Sequence, residues 1–437
     1  MNTALTTKEN KECAKKREYH SLSDVYVYNE GTYRYEKRER LDMRKKIVSY
    51  GCTILCVLAL AAVCMLFTGY RLNGDNPYRS YALQTQSWLE GRLDLGKDYP
   101  WLELAIYEDK YYVSFPPFPS YVLLPFCALF GENTPDHWIV LALLCVSTFY
   151  AQRLYRLMKG KPEDEWIWVV FLIAGNGLLN ISLQGWVWHM AQDMCFALSL
   201  MALYYAHKGK GGVALTCWMC AAGCRPMVVV YLPYLLIVLH KKEGRLDIRR
   251  WLKWLIVPAM LAISYMALNY ARFGNPLEFG HNYLPEFQRA EKGQFSFEYL
   301  SKNWSDLFRI PTFDAESGKI KLYKHDCQAI EFINPICVMA VLALAAGLIR
   351  KRMKLSLTTV LLVLGAAAHL MIVLCHRTLG GWQFGNRYIV DILPYVFCGI
   401  VCGMPQSRTY SALCRVLCCI GVAVNVIGTI LVYGHWI

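Results

Sequence analysis

The chain has 437 residues, 55% of them hydrophobic and 18% charged, and carries a formal net charge of +13. Apolar runs long enough to cross a ~30 Å hydrocarbon layer recur along it, which excludes a water-soluble domain and marks a polytopic helical membrane protein. The Lys and Arg residues sit mostly beside the ends of these runs, not in one patch, so the charge reports topology and no nucleic-acid partner is expected.

Residues 1–46 form a basic tail that reads as weakly ordered, with Lys37, Arg38, Arg40, Arg44, Lys45 and Lys46 close to the first apolar run. Such a cluster predicts a cytoplasmic N-terminus. Run 47–68 lies too far along the chain for a signal peptide and is read as a retained span. It delivers the chain to a long outer loop, 70–136. The next basic cluster, Arg153, Arg156, Lys159 and Lys161, needs one crossing before it, and run 138–155 supplies it. The apolar piece 120–130 would then lie on the outer leaflet as a juxtamembrane helix, since at ~1.5 Å per residue it spans only about half the layer.

The same bookkeeping places crossings at 166–183 and 190–205, then a short hairpin of 213–222 and 227–239 with Arg225 and Pro226 at its turn. Run 252–268 opens a second long outer loop, 269–332, and further crossings follow at 335–349, 357–375, 389–401 and 416–432. The expectation is about 11 membrane helices in one transmembrane domain, 47–437. Most of the 18 Cys lie in these runs and read as small apolar residues, with no disulfide framework expected. Cys217, Cys220 and Cys224 have metal-site spacing but no flanking acid or His, so no metal is assigned to them.

With this topology the outer face collects the polar residues that could carry chemistry. Asp75 is either a turn or cap residue before Asn76-Pro77, or a base. Glu103, between Trp101-Leu102 and Leu104, is either on the face of a short helix or an acid whose pKa its apolar setting raises. Glu108 and Asp109 flank a turn. Trp186, Trp188 and Trp382 read first as interface anchors. His189 and His281 suit structural or catalytic use. Arg387 and Asp391 have the spacing of an intrahelical ion pair. Outer arginines at 225, 377 and 387 run against the positive-inside bias, and an anionic ligand is one reason for them.

Four passages resemble the GT-C superfamily of membrane glycosyltransferases, bacterial protein-O-mannosyltransferase and aminoarabinose-transferase types above all. They are GDNPYRSYALQTQSWLEGRLDL from Gly74, LELAIYEDKYYVSFPPFPSYVLLPF from Leu102, YARFGNPLEFGHNY from Tyr270 and GWQFGNRYIVDILPY from Gly381. The resemblance implies inverting transfer of a sugar from a polyprenyl-phosphate carrier on the outer side of a bacterial plasma membrane. Asp75 takes the place of the general base. The acid pair often found there is Asp75-Asn76 here, which leaves Glu103 as the candidate for the second acid. Arg225 and Arg387, with Arg377, correspond to groups near the carrier phosphate, and Tyr112, His189 and His281 complete the candidate binding residues. The acceptor, whether protein, lipid or glycan, is not readable. No cofactor is expected, and a divalent metal, used by some superfamily members, stays open. The competing readings are a transporter or flippase of lipid-linked sugars and a polysaccharide polymerase or ligase.

Overall fold

A computed structural model describes residues 46–158, 160–244, 247–315, 319–321, 329–349, 356–403 and 408–435. Contacts divide the chain into 1–52 and 53–437. In the first unit, residues 46–52 are described, as the start of a helix; the expected weakly ordered tail otherwise lies outside the described residues. Everything below concerns the second unit.

Helix α1 runs Lys46–Thr68, and the first loop carries α2 (Ser80–Leu89), β1 (Leu104–Tyr107), β2 (Lys110–Val113) and α3 (Phe118–Phe130). Then follow α4 (Asp136–Leu157), α5 (Glu165–Ile173), α6 (Leu178–Ile181), α7 (Val187–His207), α8 (Gly211–Ala222), α9 (Leu232–Glu243) and α10 (Ile248–Phe273). The second loop holds α11 (Pro285–Gln288), α12 (Tyr299–Leu307), the ribbon β3 (Thr312–Asp314) with β4 (Lys319–Lys321), and α13 (Ile330–Ile333). The chain closes with α14 (Pro335–Ile349), α15 (Leu357–Cys375), α16 (Arg387–Val390), α17 (Leu393–Gly403) and α18 (Arg408–Tyr433).

Among the described residues, α1, α4, α10, α15 and α18 are long and apolar enough to cross a membrane, and α8, α14 and α17 are shorter apolar helices. Helix α10 shows why the chain is an integral membrane protein. Only 6% of its apolar window is buried, and Leu252, Ile256, Met260 and Ile263 are each more than half exposed. Apolar surface on that scale has lipid as its solvent. Helix α7 is the opposite case: nearly all of it is buried, among α4, α8 and α9, and it forms the centre of the bundle.

Three features depart from the sequence expectations. The expected span 166–183 is broken between α5 and α6. There the Asn176 side chain donates to the Leu172 carbonyl and accepts from Leu178 N at 2.9 Å, while Asn334 Oδ1 accepts from Gly177 N at 3.3 Å. Side-chain amides thus satisfy backbone groups that a helix would have satisfied itself, which is what makes a break tolerable inside a bundle. The expected span 389–401 is likewise split, with Asp391 and Ile392 between α16 and α17 and Pro394 in the first turn of α17, where its missing N–H costs nothing. Third, the architecture is not purely helical. β1 and β2 pair antiparallel with Tyr107 opposite Lys110, and Glu108 and Asp109 form the two-residue turn with φ of 48° and 56°. Positive φ at both turn positions is the geometry that matches hairpin twist. Glu103 therefore leads into a strand, not a helix. Helix α3 has 13 residues, about 20 Å, too short to cross.

Candidate functional site

The loops at one end of the bundle are tied by polar contacts. Asn76 Nδ2 donates to Asp136 Oδ2 at 2.8 Å and to the Gly185 carbonyl at 2.7 Å, and its Oδ1 accepts from Tyr78 N. Gly185 N donates to His137 Nδ1 at 2.8 Å. The turn role expected of Asp75 thus falls to Asn76. Asp75 itself is exposed, and its carboxylate makes no hydrogen bond or ion pair among the described residues. The Tyr78 ring packs between Trp186 and Trp188, each at 5.1 Å, and Trp188 Nε1 donates to Glu103 Oε2 at 2.9 Å. A continuous chain of contacts therefore runs from the Asp75 loop to Glu103.

Across from Glu103 stands the segment that begins Phe384-Gly385-Asn386-Arg387-Tyr388. Asn180 Nδ2 donates to the Phe384 carbonyl at 3.1 Å, and Asn334 Nδ2 donates to Asn386 Oδ1 at 3.0 Å. The break between α5 and α6 and the start of α14 thus fix the backbone that presents Arg387. Its Nε and Nη2 donate to the Gly380 carbonyl at 2.9 and 2.7 Å. Gly380 has φ of 125°, open to glycine and not to other residues, and this conformation aims the carbonyl at the guanidinium.

Arg225, at the turn after α8, donates from Nε to Asp391 Oδ2 at 2.9 Å. Asp391 is thus paired across the bundle with Arg225, and not with Arg387 four residues before it, as helical spacing had suggested. Gln192 of α7 donates to the Arg387 carbonyl at 2.8 Å and braces the pair. Both guanidinium carbons lie 4.8 Å from the Tyr388 ring centroid. Arg387 Nη1 and Arg225 Nη2 are buried without a protein hydrogen-bond partner.

Charge decides which of the two is available. Asp391 neutralises Arg225, while Arg387 forms no ion pair among the described residues. The loop imidazoles add no charge, because burial holds His281 and His376 down to about 4, so both are neutral at physiological pH. His281 Nδ1 donates to the Ser114 carbonyl at 3.1 Å, and its ring meets Phe115, Phe287 and His376. Glu103 is accessible to solvent, yet burial raises its pKa, with the Trp188 hydrogen bond and Arg387 pulling the other way. A side chain that is both accessible and crowded lines a recess. The result is a concave site with a carboxyl on one wall and, on the other, a guanidinium that keeps one nitrogen without a protein partner.

Of the other candidates, His189 is buried with its ring 5.0 Å from Trp186. Arg377 is anchored by a hydrogen bond to the Glu286 carbonyl at the rim. Tyr112 packs on Phe273 at 5.2 Å, in a small cluster with Ala105, away from the Arg225–Arg387 pair. Asp136, Gln192, Asp193 and Glu286 were not singled out from sequence. The signal was present for Gln192 and Asp193, two polar residues near the start of run 190–205, because polar groups within a membrane segment are costly and retained for a reason. Asp193 is fully buried and accepts from Ser182 at 2.7 Å.

No protein-family model and no curated protein matches the chain. Among solved structures it is similar to ArnT from Cupriavidus metallidurans bound to undecaprenyl phosphate, at 13% identity over 88% of this chain and 75% of that one, with a TM-score of 0.45. It is also similar to the apo oligosaccharyltransferase of Archaeoglobus fulgidus, at 12% identity over 86% of this chain and a TM-score of 0.44. The similarity extends over 56% of that longer chain. These neighbours are GT-C superfamily membrane glycosyltransferases. At such identity no residue role is carried over from them.

Proposed function

We propose that the protein is a membrane glycosyltransferase that moves a sugar from a polyprenyl-phosphate carrier to an acceptor hydroxyl at the extracytoplasmic face. The observation that carries this reading is Arg387 with its buried, unpartnered Nη1, held in a recess opposite Glu103. A phosphate leaving group departs as an anion and needs aimed donors more than a proton. Arg387 Nη1, with Arg225 Nη2 beside it, supplies such donors. An acceptor hydroxyl must lose a proton as it attacks the anomeric carbon, with inversion there, and a first-loop carboxylate takes that proton. Asp75 is assigned as this base on the sequence resemblance and on its uncommitted carboxylate. Glu103 then orients the acceptor, through a carboxyl already fixed by Trp188. Closure of the first loop over the recess would keep water from competing with the acceptor.

A second assignment is favoured by one specific observation: Glu103 is a first-loop acid that feels Arg387, and burial raises its pKa above the ordinary carboxyl value, which strengthens it as a base. Purified protein with labelled polyprenyl-phosphate sugars and a panel of acceptors tests both. Transfer should fall about 10²–10⁴-fold in the variant that lacks the base. A larger loss in Asp75→Asn than in Glu103→Gln supports the first assignment, and the reverse order the second. Carrier translocation without transfer by the wild-type protein overturns the reading in favour of a transporter.

A further inference from the structure

At the other end of α7 lies a second constellation, built from residues that do not line the recess. His207 lies in the last turn of α7, and Cys398 and Cys402 lie four apart on one face of α17. Their ligand atoms, one ring nitrogen of His207 and the two Sγ, all fall within 4.8 Å of one another, and Cys398 Sγ is 3.7 Å from His207 Nε2. Among the described residues this is the one group of three His, Cys, Asp or Glu side chains gathered in this way. A tetrahedral ion with bonds of ~2.3 Å to sulfur and ~2.0 Å to nitrogen needs donor atoms about 3.5–3.8 Å apart. The His207–Cys398 pair already has that spacing, and the Cys402 ligand atom, at the exposed end of α17, lies within 4.8 Å of both.

We propose that His207, Cys398 and Cys402 bind a thiophilic transition-metal ion of the zinc class. Two thiolates and a neutral imidazole are a soft donor set that hard cations such as Mg²⁺ or Ca²⁺ do not favour. The charges also fit the setting: two thiolates cancel a divalent ion, so the loaded site is neutral among apolar neighbours. Binding breaks two S–H bonds and releases both protons to solvent as the metal–sulfur bonds form. Tyr234 stands ready as the outer partner, its hydroxyl 2.9 Å from His207 Nε2 and 3.1 Å from Cys398 Sγ. With Nε2 committed to the metal, the hydroxyl donates to the Cys398 thiolate and sets its orientation.

A cavity of about 400 Å³, lined by His207, Tyr234, Cys402, Lys241, Lys242 and Thr358 among others, gives the ion a way in and leaves room for an exchangeable fourth ligand. The two lysines line the approach to the cluster, and the thiolate is the species that ligates. The loaded site would tie the far end of α7 to α17. At its near end, α7 carries Trp188 and Gln192, which hold Glu103 and the Arg387 backbone.

The test is titration of the full-length, chelator-treated protein in detergent with Co²⁺. A stoichiometric thiolate-to-cobalt charge-transfer band is expected, together with tetrahedral visible bands and a raised thermal midpoint. Cys402→Ser, at an exposed position that tolerates change, and His207→Gln should each abolish the band. Cys220→Ser, which alters a buried cysteine elsewhere, should keep it. Absence of the band in the wild-type protein, its survival in Cys402→Ser, or an equal loss in Cys220→Ser overturns the proposal.

Discussion

Removing one half of a buried ion pair leaves the other half charged and desolvated, and this is the leverage of Asp391. It is fully buried, and its partner Arg225 keeps only 16% of its side chain accessible. Asp391→Ala should therefore cost about 3–5 kcal/mol of stability, while replacing both partners with apolar residues of similar size should cost much less. Chemical denaturation in detergent measures the difference, and equal losses for the single and double variants would show that the pair is not the source. Glu103 gives a prediction of opposite sign. Its folded pKa lies above the ordinary carboxyl value, so the native protein keeps this proton to higher pH than the unfolded chain does. Between the two pKa values the native state binds more protons, and stability falls as pH rises. Glu103→Gln should then raise the thermal midpoint at neutral pH and leave it unchanged in acid, while transfer declines. A midpoint lowered at neutral pH would contradict this. Of the candidate site, Glu103, Arg225 and Arg387 were singled out in sequence because charge beside apolar runs stands out. Their geometry was not, because the partners that fix it come from α7, α13–α14 and the α5–α6 break, far apart in the chain.

Elements reach this arrangement through close approach as much as through apolar pattern. Long runs of apolar residues gave α1, α4, α10, α15 and α18 away, since length and hydropathy alone decide whether a helix can span. The breaks after α5 and α16 stayed hidden because each falls inside a mainly apolar run, at Asn176 and at Asp391, and depends on tertiary partners such as Asn334 and Arg225. The β1–β2 hairpin stayed hidden because its strands are only four residues each. Arg272, at the end of α10, holds that hairpin through a 3.0 Å bond to the Val113 carbonyl. Helix α18 seats against the α5–α6 break at Gly421, where an added Cβ would come within 2.5 Å of the Gly175 carbonyl oxygen and 2.9 Å of Pro335. A backbone carbonyl cannot rotate aside as a side-chain tip can. Gly421→Ala should cost about 1–3 kcal/mol and, by moving the break, disturb Asn180 and the Phe384–Arg387 segment. A thermal midpoint equal to wild type would mean that α18 does not seat there.

For the whole molecule, the sidedness of the bundle decides what the recess can meet. The residues of the recess and the first-loop hairpin lie at one end of α7, and Lys208 and Lys210 follow its other end. Lys241 and Lys242 join that second end, beside the His207 cavity. Basic residues near short loops are retained on the cytoplasmic side during insertion. The recess should then face outward, toward a carrier lipid that presents its sugar in the outer leaflet, and the His207–Cys398–Cys402 cluster should face the reducing cytoplasm, where thiols persist. Truncation fusions made at two positions test this. A truncation after Asp109 joined to alkaline phosphatase should be active, and one after Gly209 joined to green fluorescent protein should fluoresce. The reverse pattern would put the guanidinium site in the cytoplasm, where a lipid-phosphate sugar of the outer leaflet cannot reach it, and the transferase reading would fall with the topology.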